Sequence, residues 1–204
     1  MRTPLLELRL PTLDDLVVLA EIGAEGIYEP GDLHTGPVAG WTDQPSPGFE
    51  RSLVQHHFRT LADWDPWHWL FAPVVVHNNR VIGTQDAEAE DFPVARSVTT
   101  AAWLGRAWQG RRLGREMREA MLHLVFEGLG AEVAYDQVWE ENAAALSISH
   151  SLGYRPNGTE VRARGNDAAL LVNMALDRSD WELRRREDVE ITGLEPCYEL
   201  FTGW

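Results

Sequence analysis

The chain has 204 residues and a formal net charge of -14 at pH 7, with 44% hydrophobic and 25% charged residues. This is the composition of an ordinary globular protein of one domain, and its acidity argues against a role on nucleic acid, which needs a broad basic face. No apolar run approaches the roughly 20 residues of a membrane span. The opening MRTPLLELRLPTLDD breaks its apolar run with an acid and an arginine, unlike a signal peptide, and the lone Cys197 offers neither a disulfide nor a metal cluster. A cytoplasmic protein without nucleic-acid or membrane partners is expected.

Leu5 to Leu10 reads as a first strand. Thr12 is an N-cap candidate for a helix whose apolar positions are Leu13, Leu16, Val17, Leu19 and Ala20, with Asp14 and Asp15 in the first turn. Gly23 to Gly40 is glycine- and proline-rich loop with room for one short helix, and its His34 reads as a surface residue. Pro45, Pro47 and Gly48 mark a turn before a second helix, Phe49 to Trp64, with Leu53, His56 or His57, Thr60 and Leu61 inward.

Strand signals follow. Trp67 to His77 is one apolar run; Asn78-Asn79 reads as a tight hairpin turn into Val81 to Glu90, and Ala95 to Gly105 is another strand. The clearest helix runs from Arg111 to Gly128, with Leu113, Met117, Ala120, Met121, Leu124 and Val125 at helical spacing. Ala131 to Trp139 (strand), Asn142 to Leu152 (helix), Tyr154 to Arg164 (strand), a turn at Asn166-Asp167 and Ala168 to Leu176 (strand) complete the pattern. Ser179-Asp180 reads as the cap of a short charged helix, Trp181 to Glu187, before an irregular tail with a strand signal near Val189. The order is that of a mixed α/β chain with a central meander and one strand–turn–helix crossover. Most of the nine tryptophans read as packing.

The crossover carries the chemistry. Arg106, Arg111, Arg112, Arg115 and Arg118 crowd the start of the long helix. Cations there oppose the helix dipole by a few tenths of a kcal/mol each unless an anion is present. Small residues at such a start let several main-chain N–H groups converge on one anion. Gly110 and Gly114 supply them. Neither a nucleotide P-loop nor a dinucleotide glycine motif is present. The seven histidines show no metal-ligand spacing, so no metal is expected.

Gln109-Gly110-Arg111-Arg112-Leu113-Gly114 resembles the pyrophosphate-binding motif of the GNAT superfamily of acyl-CoA-dependent N-acyltransferases. Trp139-Glu140-Glu141-Asn142 followed by Leu152-Gly153-Tyr154-Arg155-Pro156-Asn157-Gly158 is similar to a second segment of its ribosomal-protein N-acetyltransferase branch. The Leu5-to-Gly23 opening and Val81-Ile82-Gly83 fit that branch too. Asp91-Phe92-Pro93 and Trp103-Leu104-Gly105 resemble an actinobacterial subgroup with a succinyl-CoA-using member. The likeness covers about residues 5 to 178. It departs at Arg112, where the family has glycine, and at Ala145, where the branch has serine; Ser147 and Ser149 follow on the next turn.

The resemblance implies a mixed, mostly antiparallel sheet with a splayed parallel strand pair, 95–105 and 131–139, and flanking helices. It implies one domain over residues 1–178, with residues 179–204 as a helix and tail packed on it, able to serve as a homodimer contact or to wrap the groove. The cosubstrate would be acetyl-CoA or succinyl-CoA, bound by Trp103, Leu104, Gln109, Gly110, Arg111, Arg112, Leu113, Gly114, Arg115, Asn142 and Ser149. The Ala102 N–H would polarise the thioester carbonyl. An arginine near the thioester (Arg96, Arg106 or Arg155) would favour a charged acyl group. An amine acceptor, small molecule or protein, would attack directly. Asp86, Glu88 and Glu90, on one face by strand alternation, are the candidates for base or for amine steering, with Asp91 beside them. A non-catalytic CoA-binding module and a phosphate or nucleotide sensor are the alternatives.

Overall fold

The computed structural model describes residues 1–27, 45–164 and 167–203. His34 with most of its glycine-rich loop, and Asn166 of the expected turn, lie outside these.

β1 (Glu7–Arg9) leads into α1 (Leu13–Ala24) through a reciprocal cap: the Thr12 hydroxyl accepts from Asp15 N–H, and the Asp15 carboxylate accepts from Thr12 N–H at 2.8 Å. Arg9 pairs with Asp15 and holds its carboxyl well below the usual range. The buried face of α1 is Leu16, Leu19, Ala20 and Gly23. Leu13 and Val17, expected inward, are exposed, because the face turned to the sheet and to α2 (Gly48–Ala62) is the one that carries Leu16, Leu19 and Ala20. α2 turns Phe49, Leu53 and His57 inward and leaves Leu61 exposed.

The described residues form one eight-stranded sheet in the order β1-β3-β4-β5-β6-β8-β7, with β2 also pairing β4. The apolar run 67–77 is two strands, β2 (His68–Phe71) and β3 (Val74–His77), not one. Pro73 interrupts it: proline has no N–H for the ladder. Both halves pair antiparallel with the long β4 (Arg80–Glu90), β2 at its far end and β3 at its near end. Asn78 and Asn79 both hold positive φ in the hairpin between β3 and β4. Ile82 is an extra residue between the pairs Val76–Val81 and Val75–Gly83, a bulge that resets the faces of β4. Beyond it, Thr84, Asp86, Glu88 and Glu90 share one face, while Gln85, Ala87 and Ala89 share the other.

A four-residue helix, α3 (Phe92–Ala95), turns the chain into β5 (Ser97–Leu104). β5 crosses through α4 (Leu113–His123) and a π turn (Leu124–Gly128) to β6 (Val133–Trp139), its parallel neighbour. The whole expected stripe of this crossover is buried. α4 starts two residues later than expected, because Gly110 and Arg112 both hold positive φ. Then α5 (Ala143–Leu152) precedes the hairpin of β7 (Arg155–Arg164) and β8 (Asp167–Asp177).

After β8, α6 (Arg178–Glu182) begins earlier than expected and stacks Trp181 on Phe126 at 5.1 Å. The end of the chain is more ordered than its sequence suggests. Arg2 and Glu190 form a β-bridge, and α7 (Tyr198–Thr202) packs Phe201 against Trp64 and Trp69, whose indole donates to the Phe201 carbonyl at 3.1 Å. Trp69, Trp181 and Phe201 belong to the main core. Among the described residues no helix is long and apolar enough to cross a membrane.

Candidate active site

The parallel ladder between β5 and β6 is short. It runs from Ser97–Val133 to Thr100–Asp136 and stops, although β5 continues to Leu104 and β6 to Trp139. The two strands therefore part at the centre of the sheet. The consequence is visible at Ala102, an exposed alanine on a central strand.

Hydrogen-bond alternation fixes which groups face the gap. Gly105 N–H donates to Ile82 O of β4, while Gln85 N–H turns away from β5 to Pro73 O. Gln85 and Ala102 are therefore a pair without mutual bonds, and Asp86 and Ala101 are the bonded pair. The N–H of Ala102 points away from β4, into the splay.

The turn ahead of α4 lies at the mouth of the same gap: a side chain on Gly114 would sit 3.7 Å from Ile148 of α5 and 3.8 Å from Leu104 of β5. Arg112 occupies the N-cap position with φ 64° and ψ 0°, the left-handed conformation that glycine adopts readily. The backbone of the motif is thus the glycine backbone, carried by an arginine. No side chain caps α4. From Gly110 to Arg115 no main-chain N–H finds a partner among the described residues.

The arginines divide. Arg115 pairs with Glu119 at 2.9 Å, and Arg118 is buried against Asp136. The Arg111 guanidinium lies 5.3 Å over the Trp108 ring. Arg155 pairs with Asp177 and Asp180, and Arg96, which precedes β5, lies over the Phe92 ring away from the splay.

Three expected acyl-CoA contacts are used within the protein. Gln109 spends both side-chain N–H groups on the Ile27 and Leu104 carbonyls, at 2.8 and 2.9 Å, tying the end of β5 to the exit of α1. Asn142 caps α5, its Oδ1 accepting from Ala145 N–H at 3.0 Å. Ser149 is fully buried; its hydroxyl lies 2.7 Å from Asp136 Oδ2 and 3.0 Å from Ala145 O, because the buried carboxylate draws in donors.

On the opposite face of the sheet, Asp86, Glu88 and Glu90 line up as alternation requires, beside Ala101 and Thr99 of β5. Glu88, Glu90 and Asp91 help line a groove of about 620 Å³ that Tyr135, Gln137 and Asn173 also border. Burial pushes the Asp86 carboxyl up to about 6, with Glu88 adding to the rise and a hydrogen bond from Thr84 opposing it. The Thr84 hydroxyl lies 2.7 Å from Asp86 Oδ1 and 2.9 Å from Pro73 O, and its one proton serves one of them at a time. A protonated Asp86 satisfies all three oxygens. Thr84, Tyr135, Gln137 and Asn173 carried no signal in the sequence, since strand register alone brings them here.

Residues 6–155 match the family model described as an acetyltransferase (GNAT) domain. Solved structures share the fold. The ribosomal-protein α-N-acetyltransferase RimL in complex with coenzyme A superposes with a TM-score of 0.69 at 12% identity, over 86% of this chain and 95% of that one. A spermidine N-acetyltransferase chimera from Vibrio cholerae and hSSAT gives 0.68 at 18% identity, over 87% and 98%. The acetyltransferase yncA from Salmonella typhimurium, with its cofactor acetyl-CoA, gives 0.60 at 19% identity, over 85% and 94%.

Proposed function

The chain belongs to the GNAT acetyltransferase family and is an N-acyltransferase, and on that premise we propose how its residues carry the reaction. The coenzyme A diphosphate sits on the turn from Gly110 to Arg115, where consecutive main-chain N–H groups, the positive end of α4 and nearby guanidinium groups converge on one anion. This row of amides without internal partners among the described residues is the observation that carries the reading. The pantetheine arm runs past Leu113 and Gly114 into the splay, between Trp103–Leu104 on one wall and Asn142 on the other. The thioester carbonyl accepts from the Ala102 N–H, which strengthens as charge develops on the oxygen.

The acceptor is a primary amine entering by the acidic groove. Glu88, Glu90 and Asp91 attract it as an ammonium. Asp86, with a carboxyl tuned towards neutrality, takes its proton, directly or through one water. The free amine attacks the thioester carbon in a ternary complex; the C–N bond forms, the C–S bond breaks, and the proton that the attacking nitrogen sheds on becoming an amide passes through water to the sulfur, so that coenzyme A leaves as the thiol. No covalent enzyme intermediate is required. Acetyl-CoA is the donor taken here, since a carboxylated acyl group such as succinyl needs a cation beside the thioester, and two of the three candidate arginines, Arg155 and Arg96, are engaged elsewhere.

A thiol-release assay tests this, first with acetyl-, propionyl-, succinyl- and malonyl-CoA, then over polyamines, aminoglycosides and peptide N-termini. Release from acetyl-CoA that depends on an added amine is expected. Tight acetyl-CoA binding without release over the whole panel would instead support a non-catalytic binding module.

A further inference from the structure

We propose that Gln85 is a positioning residue for acyl transfer, clamping and polarising the peptide group whose N–H meets the thioester carbonyl. The proposal rests on the reading of Ala102 given above.

Gln85 lies in the middle of β4 and is 1% exposed. Its Nε2 donates to the Ala101 carbonyl at 3.0 Å and lies 3.4 Å from the Asp86 carbonyl. Its Oε1 is buried with no partner. A buried amide oxygen left unpaired burdens the folded state, so methionine, similar in length and without hydrogen-bonding N or O atoms, would serve the fold better here. A buried group that burdens folding calls for another explanation.

The explanation lies in what Nε2 touches. The Ala101 C=O and the Ala102 N–H are the two ends of one planar peptide and point in opposite directions. The carbonyl end faces β4; the N–H end faces the splay. As the bonded partner of Asp86, the carbonyl already accepts one ladder hydrogen bond, and Gln85 brings a second donor to its other lone pair. Hydrogen bonds at the oxygen draw electron density from the nitrogen and make the N–H a stronger donor. The second effect is mechanical. Beyond Thr100, β5 has lost its β6 partner, so this peptide is held by the sheet from one side only. The Gln85 amide fixes its plane from that side, in line with the direction the oxyanion needs.

Isotope-edited infrared spectroscopy of [1-13C]acetyl-CoA bound to the full chain tests this without any acceptor. In the wild type, the thioester C=O stretch should move to lower wavenumber than in free acetyl-CoA. Gln85→Met should lose at least half of that displacement, bind acetyl-CoA within twofold of wild type, melt at the wild-type temperature or above, and lower kcat three- to tenfold for any amine the wild type uses. Gln85→Leu, which also lacks the donor, provides the same measurement should the methionine variant fold poorly. A full wild-type displacement in either folded variant overturns the role of Gln85. Absence of displacement in the wild type itself overturns the placement of the thioester on Ala102 instead, and the proposal with it.

Discussion

Arg118 of α4 and Asp136 of β6 form a buried ion pair at the last rung of the parallel β5–β6 ladder. Ser149 of α5 adds a hydroxyl to the same carboxylate, and the Arg118 guanidinium also covers the Tyr154 ring at 5.7 Å. Two helices are thereby fastened to β6 where the strands begin to part. Burial pushes the Tyr154 hydroxyl, 3.3 Å from that of Thr100, up to about 12, so it stays neutral. Asp136→Asn leaves the guanidinium without its counter-charge, and breaking such a pair costs about 3–5 kcal/mol. Ser149→Ala removes one hydrogen bond, worth about 1 kcal/mol. Urea unfolding of both variants checks the ranking; equal losses would show that the ion pair is not the fastening.

Asp86 should control the acid limb of activity. With a carboxyl near 6, the pH profile of kcat/KM for a chosen amine should rise through about pH 6 as the carboxylate forms, and Asp86→Asn should lose activity by about a hundredfold. The sign for stability is the reverse. The folded value is above the unfolded one, so the native state binds more protons between about pH 4 and 6, and stability falls as pH rises through that window. Asp86→Asn should therefore melt higher than wild type at pH 8 while being far less active. A variant that is both less stable and less active at pH 8 would mark Asp86 as structural.

The turn before α4 can be probed through Gly114. Its added Cβ would meet neighbours at ordinary contact distances, so Gly114→Ala should bind coenzyme A within a few-fold of wild type. Gly114→Trp should weaken binding at least tenfold, by filling the mouth of the splay. Calorimetric titration with coenzyme A distinguishes the two, and equal affinities would move the site elsewhere. Asn142→Ala should cost about 1 kcal/mol of stability through the lost cap of α5. It should also raise the coenzyme A dissociation constant, and an unchanged constant would remove Asn142 from the wall of the splay.

Arg112 separates backbone from charge. Its left-handed conformation costs a non-glycine residue about 1–2 kcal/mol. Arg112→Gly should raise stability by about 1 kcal/mol and Arg112→Ala should not, while both lose the same guanidinium. Comparing their melting temperatures isolates the backbone contribution, and their shared change in coenzyme A affinity isolates the charge. Equal melting temperatures would show that the turn carries no such strain.

The crossover was legible because two signals coincide there: an apolar stripe with helical spacing, and small residues with arginines at its head. Asp86, Glu88 and Glu90 fell on one face because alternation is a property of any strand. The break of the 67–77 run at Pro73 was legible in principle, as proline cannot serve a ladder, but the apolar content on both sides masked it. Gln85, Thr84 and the Arg118–Asp136 pair could not be read in advance. Their meaning depends on register between strands distant in sequence, which a bulge at Ile82 resets. Ser149, Gln109 and Asn142 stood out by residue type and spacing, but the sequence does not reveal that Ser149 Oγ meets a buried carboxylate, Gln109 Nε2 a strand end and Asn142 Oδ1 a helix cap.

The most direct measurement is a crystal structure of this chain grown with acetyl-CoA. The account predicts diphosphate oxygens within about 3 Å of main-chain N–H groups between Gly110 and Arg115, with the thioester oxygen on the Ala102 N–H. A diphosphate held elsewhere, with that turn and that amide untouched, would contradict it.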